Sequence, residues 1–172
     1  MASTAVSFHT AAVERPDQSQ YLTFVLGKET FAVGILIIKE ILEYEEPTDV
    51  PMMPAFVRGV VNLRGAVVPV IDLSARFGRP SAAVTKRTCI VIIETALNEV
   101  RQVLGVVVDA VNEVLEIAAT DIEPPPDFGT SIRTDFIQGM GKVRDKFVII
   151  LKVDSVLSTD EMEQLAGAAR TP

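Results

Sequence analysis

The sequence has no tryptophan, one cysteine, one histidine and two tyrosines among its 172 residues. Each scarcity removes a class of chemistry. With Cys89 alone, no disulfide can form within the chain. Cys89 lies in the apolar run "TCIVIIE", where a buried structural thiol is expected rather than a reactive one. The single histidine, His9, sits in a stretch of small polar residues. Ser-His-Asp and Cys-His nucleophile systems are therefore excluded, as are metal sites built on clustered histidine and cysteine. Basic residues are outnumbered, 16 Lys and Arg against 23 Asp and Glu, for a formal net charge of −7. Phosphate binding needs clustered Lys and Arg, so no nucleic acid partner is expected, and an anionic membrane surface is disfavoured for the same reason. Long apolar runs are missing too. "FAVGILII" stops at Lys39, and nothing approaches the ~18 residues of a membrane span. The N-terminus has no basic n-region and its first charge is Glu14, so it does not read as a secretory signal. A cytoplasmic protein with no direct membrane insertion is the expectation.

What the chain has in quantity is 24 valines and 14 isoleucines, within a hydrophobic fraction of 48%. β-Branched side chains pack well on pleated surfaces, so the bias favours strands. "QYLTFVL" and "TFAV" are strands around a glycine turn, "GKE". "ILIIKEIL" is too short for periodicity to separate strand from helical turn. "EYEEPTDVPMMP" is a polar, proline-broken loop. "AFVRGVV" enters a bend at "NLRG" and "AVVPVIDL" leaves it. Pro69 lacks an N–H, which puts that second run at a sheet edge or near a bulge. "SARFGRPSAAVTKR" reads as a helical turn and a loop. The pattern then restarts with "TCIVIIE", followed by "RQVLGVVVDAV" and "NEVLEI" as two more strands. "FIQGMGKVRDKFVIILKV" is a hairpin turning near Arg144 and Asp145.

About ten short strands with turn chemistry between them suggest small antiparallel barrels or sandwiches. Two linked five-stranded barrels would each have a thin core and would share apolar surface. Residues 1–18 read as a mobile tail. Ser158 and Glu161 have capping-box spacing, so residues 158–172 are expected to supply a short C-terminal helix and tail. No clear internal repeat is detectable.

Motifs for catalysis do not survive inspection. "GKET" lacks the upstream glycine of a phosphate loop, and Glu29 replaces its Ser or Thr. "GMGKVR" lacks the third glycine of a dinucleotide fingerprint. "DFG" at Asp127 has no accompanying kinase motifs. Glu43, Glu45, Glu46 and Asp49 are too irregular for a calcium loop and read as a solvated acidic loop. No cofactor, metal or catalytic residue is expected.

Binding remains, and one charge stands out. Arg64 lies inside "VVNLRGAVVPVIDL", a run otherwise almost wholly apolar. A solvated charge on an exposed turn is the plain reading. The neighbours support a sharper one. Asn62 and Gly65 can take the positive φ of a tight bend, and Gly59 keeps nearby backbone bare. An arginine on a stiff turn loses little entropy on binding, and its fork of donors suits carboxylates and carbonyls. Glu40, in the apolar "IIKEIL", could be its partner.

"VPMMPAFVRGVVNLRGAVVPVIDLSARFG" resembles the signature region of the CheW family, the adaptors of bacterial chemotaxis arrays. "LGVVVDAVNEVLEI" is similar to the family's central strand pair, and "IEPPPDFGTSIRTDFIQGMGKVRDKFVIILKV" to its C-terminal third. The resemblance runs from about Gln20 to Leu157. It implies an all-β CheW-like domain over residues 19–157, made of two linked five-stranded SH3-like barrels. The first would span about 19–84 and the second 85–157, with exchange of strands between them left open. It implies no catalysis. It implies two partners, the regulatory domain of the histidine kinase CheA and the hairpin tip of methyl-accepting receptors, which docks between the barrels. Localisation would be at the receptor array, through those partners. Ile38, Glu40, Gly59 and Arg64 match positions that contact partners or shape the contact surface, with the arginine and glutamate paired; Asn62, in the same bend, is expected among the partner-binding residues. Lys152 departs from the family, which more often has an acid there, and the N-terminal tail is somewhat long. CheV-like proteins add a receiver domain that this sequence is not expected to carry. The same scaffold in another receptor–kinase pathway, such as surface motility, is the alternative.

Overall fold

The computed structural model describes residues 18–80, 83–97, 100–125 and 136–155. Their strands are β1 (Gln18–Leu26), β2 (Glu29–Gly34), β3 (Ile38–Glu43), β4 (Val57–Leu63), β5 (Ala66–Asp72), β6 (Cys89–Leu97), β7 (Val100–Val108), β8 (Ala110–Ala118), β9 (Ile122–Glu123), β10 (Ile137–Val143) and β11 (Lys146–Leu151). One short helix, α1 (Leu73–Arg76), follows β5. "ILIIKEIL" splits into a 3-10 turn at Ile35–Ile37 and then β3. The expected C-terminal helix and most of the expected N-terminal tail lie outside the described residues, and β1 already begins at Gln18.

The strands form a five-stranded sheet, β3-β6-β7-β5-β4, and a six-stranded sheet, β8-β1-β2-β11-β10-β9. These are the two linked SH3-like barrels. The expected division at residue 84 does not give one barrel per half. Sheet β3–β7 is contiguous in sequence, whereas the other sheet takes β1 and β2 from the start and β8 to β11 from the end. The reason is non-local pairing: β2 runs parallel to β11, and β5 parallel to β7. Strands are exchanged between the halves.

The same topology reveals an internal repeat that the sequence hid. Under the correspondence β3→β8, β6→β1, β7→β2, β5→β11 and β4→β10, one strand order becomes the other, leaving β9 as the extra strand. The hairpins β4–β5 and β10–β11 match at a constant offset, Arg64 to Arg144. Their registers break in the same place, between Val57 and Gly59 and between Ile137 and Gly139. Asp72 N donates to Phe56 O at 2.7 Å and Lys152 N to Phe136 O at 2.8 Å, so even the strand exits correspond.

Three cores result. Val61, Val68, Val70, Ile90, Ile92 and Val107 fill the first barrel. Tyr21, Ala32, Ile117, Val148 and Ile150 fill the second. The largest core lies between them, with Phe24, Leu26 and Phe31 from one sheet against Ile71, Ile93, Val106 and Val108 from the other. The phenylalanines Phe24, Phe31, Phe77 and Phe136 form a continuous series there, with ring centroids 5.5–6.0 Å apart. Small barrels admit mostly β-branched side chains, so the bulky rings collect where two sheets face each other. Each buried ring contributes about 1.5–3 kcal/mol, so this shared layer joins the barrels strongly. Pro69 is not at a sheet edge, because β5 lies between β4 and β7, but it does lie near a bulge, since the register break between Val57 and Gly59 faces Ile71 and Val70 beside it. The parallel ladder to β7 runs from Val70 to Asp72, so the proline stands just outside it.

Candidate functional site

The bend at "NLRG" is a two-residue turn, with Leu63 paired to Ala66. Arg64 has φ 53° and Gly65 φ 87°. Two successive positive φ values define a type I′ turn, whose twist matches the flanking strands. The sequence reading gave positive φ to Asn62 and Gly65; the structure gives it to Arg64 and Gly65. Asn62 instead stays in β4, where its Oδ1 accepts a hydrogen bond from Gly65 N at 2.8 Å. That bond stiffens the turn from outside.

Glu40 is brought to Arg64 by a bulge. Ile38 opposes Ile93 and Glu40 opposes Ile92, so Lys39 is the extra residue. The bulge sends Ile38 and Glu40 to opposite faces although they are two apart. Ile38 packs against the shared core. Glu40 takes the face that lines the first barrel. Arg64 Nη1 donates to Glu40 Oε2 at 2.6 Å and Nη2 to Oε1 at 3.0 Å, a bidentate fork. Hydrogen bonding and then the charge of Glu40 hold the Arg64 pKa above its ordinary value. The arginine side chain is 76% exposed and the glutamate 24%.

β3 and β4 are the outer strands of their sheet. The fork therefore crosses the seam where the sheet closes into a barrel. A second closure lies further along, where Thr48 and Val60 exchange two backbone hydrogen bonds of 2.8 Å. Gly59 belongs to that closure. A Cβ there would lie 2.2 Å from Thr48 O, and its φ is 141°. Gly59 is buried at that closure, five residues along β4 from Arg64. Of the five expected residues, Glu40, Asn62 and Arg64 form one constellation, Gly59 lies apart at the second closure, and Ile38 faces away from it.

A network at the other end of β4 was not anticipated. Arg58, the bulged residue beside Gly59, donates from Nε to Asp72 Oδ2 at 3.1 Å and from Nη1 to Tyr44 OH at 2.9 Å. Asp72 also caps α1 by accepting from Ala75 N at 3.2 Å. Burial alone would lower the Arg58 pKa, but hydrogen bonding and charge from Asp72 raise it overall. The signal was available: Arg58 interrupts the apolar run "AFVRGVV" as Arg64 interrupts the next. Cys89 is half-buried, and burial followed by the charge of Glu43 pushes its thiol pKa up, as suits an unreactive group. Among the described residues, no group of three or more His, Cys, Asp or Glu side chains could hold a metal ion. No described helix is long and apolar enough to cross a membrane.

Arg64 is permanently protonated, and its partner carboxylate is engaged through both oxygens. The constellation offers no free base or nucleophile. It offers a stiff turn, a fixed pair of charges and a closed seam, and these define a two-barrel interaction domain. A family model for the CheW-like domain matches residues 20–161, and the chain belongs to the CheW family of chemotaxis adaptors. The chemotaxis protein CheW of Klebsiella aerogenes is 33% identical over 152 residues, covering 88% of this chain and 89% of that protein. The crystal structure of the scaffolding protein TtCheW from Thermoanaerobacter tengcongensis superposes with a TM-score of 0.75 at 34% identity, covering 86% of this chain and 93% of that one. Protein FrzA of Myxococcus xanthus is 34% identical over 116 residues, 67% of this chain and 69% of its own length.

Proposed function

We propose that this chain is a non-catalytic scaffold that couples methyl-accepting chemoreceptors to the regulatory domain of the histidine kinase CheA. The observation that carries the reading is the bidentate Arg64–Glu40 fork across the barrel seam. A mostly exposed arginine fixed on a two-residue turn is already ordered before a partner arrives, so little entropy is lost on contact. Glu40, Asn62 and Arg64 form the contact surface, while Gly59 lies apart at the second closure and Ile38 packs against the shared core. The working unit is the domain over about residues 19–157, acting at the receptor array through its partners. FrzA supports a second reading in which the same scaffold serves a different receptor–kinase pathway, such as surface motility.

Isothermal titration of the full chain against a CheA regulatory domain and against a receptor hairpin-tip fragment tests the reading. Binding to both is expected, unchanged by chelator or nucleotide, because strand edges and apolar side chains need no cofactor. Dependence on metal or nucleotide would sink the pure-scaffold reading. Binding only to a kinase and receptor of a motility pathway would transfer it to the alternative.

A further inference from the structure

Pro51 and Met52 form a turn in the loop between β3 and β4, and Met52 has φ 65°. A proline followed by a residue of positive φ makes a type II turn, whose second central position is normally glycine or asparagine. A side chain with a Cβ is sterically penalised there, and an unbranched apolar one has no local hydrogen bond in return. Packing does not offset the penalty either. Met52 is 96% exposed, the highest value among the exposed large apolar residues. Its neighbour behaves normally: Met53 packs against the shared core.

The loop is tied down on both sides of this turn. Pro51 and Pro54 flank the two methionines, Val57 N donates to Pro54 O at 2.9 Å, and the Thr48–Val60 closure anchors the loop on one side. Met52 is thus a preorganised apolar side chain presented to solvent at a conformational penalty. Strain that the rest of the fold maintains at an exposed site points to use at that site. Methionine suits contact, because its flexible, polarisable thioether adapts to a pocket and is enriched in interface cores. Glu45, Glu46 and Asp49, all exposed, lie in the same loop.

We propose that Met52 is an apolar anchor that inserts into a pocket on a partner protein, and that the pocket is rimmed by lysine and arginine facing Glu45, Glu46 and Asp49. The assignment rests on the scaffold reading above and adds a residue and a surface chemistry to it. It separates the turn's conformation, which asparagine would satisfy at less strain, from the side chain's contact, which asparagine would abolish.

Met52→Asn and Met52→Leu in the full chain test it, each followed by thermal unfolding and by titration with the kinase regulatory domain and the receptor-tip fragment. Met52→Asn should raise the melting temperature yet weaken binding to one fragment by about tenfold or more. Met52→Leu should keep binding within about threefold, since apolar volume is retained. Glu45→Gln with Glu46→Gln should weaken the same contact and flatten its salt dependence. Unchanged affinity of Met52→Asn for both fragments would overturn the anchor, as would a lowered melting temperature in that variant. Tighter binding by the glutamine variant would overturn the basic rim. If the wild type binds neither fragment, the scaffold reading fails and the anchor falls with it; wild-type binding beside an unaffected Met52→Asn overturns the anchor alone.

Discussion

The hairpins ending in Arg64 and Arg144 occupy equivalent places in the two barrels, yet one carries a fixed charge pair and the other a loose one. Both have a bulge at a glycine, Gly59 or Gly139, and both turn through two residues of positive φ. Both place arginine first in the turn and an acid across the seam. In the second barrel the acid is Glu113 on β8, and the ion pair's N···O separation is 3.5 Å. The first barrel has a bidentate fork at 2.6 and 3.0 Å. The residue after the arginine also differs. Gly65 accepts positive φ freely, whereas Asp145 takes φ 65° with a Cβ present. At the strand exit, Asp72 caps α1 and holds Arg58, where its counterpart Lys152 is an exposed cation. The shared features are those needed to close a small barrel. The features confined to the first barrel are a fork on the exposed turn at one end of β4 and a largely buried pair at the other. That asymmetry is what the proposed contact at Arg64 and Glu40 rests on.

The comparison can be broken most forcibly at the strand exits. Asp72→Ala removes the α1 cap and leaves the Arg58 guanidinium with Tyr44 but without its carboxylate. Loss of a cap costs about 1 kcal/mol, and breaking a largely buried ion pair adds more, so about 3–4 kcal/mol of stability should disappear. Lys152→Ala at the equivalent position should change stability by less than about 0.5 kcal/mol. Chemical denaturation of both variants measures the difference. Equal losses would mean that the asymmetry at the exits has no energetic content.

The bulge glycines give a smaller contrast. A Cβ on Gly59 would meet a backbone oxygen, Thr48 O, at 2.2 Å. That oxygen belongs to the seam closure and cannot retreat. Gly59→Ala should cost about 2–3 kcal/mol, from overpacking and from strain at φ 141°. A Cβ on Gly139 would meet Ile122 Cγ2 at 2.6 Å and Glu123 O at 3.0 Å. The isoleucine can rotate, so Gly139→Ala should cost about 1–2 kcal/mol. A larger loss at Gly139 would show that the second seam is the more rigid one.

The sequence was legible where the determinants are local. Alternating valine-rich runs showed the strands, and the turn at Arg144 and Asp145 was visible because polar residues interrupt a paired apolar pattern. The Arg64–Glu40 pair was readable for a related reason: two charges in apolar runs need partners. Grouping the strands into sheets was not readable. The parallel pairings β2–β11 and β5–β7 join residues far apart in the chain, and no local pattern encodes them. The repeat stayed hidden because the hairpins share geometry more than identity. From 58 to 73 they coincide at Gly59 and Gly139, Arg64 and Arg144, and Val68 and Val148. The face reversal of Ile38 and Glu40 depends on a single bulged residue, Lys39, which strict alternation cannot anticipate.

The two arginines give the smallest effect on folding and the sharpest effect on function. Both are largely exposed, at 76% and 74%, so neither substitution to alanine should shift the melting temperature by more than a degree or two, as expected of surface pairs. Partner binding should separate them. Arg64→Ala should weaken binding to the kinase or receptor fragment by roughly thirtyfold, the range of a true anchor. Glu40→Ala should do nearly the same, because the fork fixes each side chain through the other. The double variant should then lose less than the product of the two single effects, since the pair acts as one unit. Arg144→Ala and Glu113→Ala should leave the same contact within about twofold, because an exposed pair 3.5 Å apart orders neither side chain. Multiplicative losses in the Arg64–Glu40 double variant would dissolve the proposed unit, and wild-type binding in Arg64→Ala would remove the arginine from the interface. A loss at Arg144 equal to that at Arg64 would make the two barrels functional equivalents and end the distinction between site and scaffold.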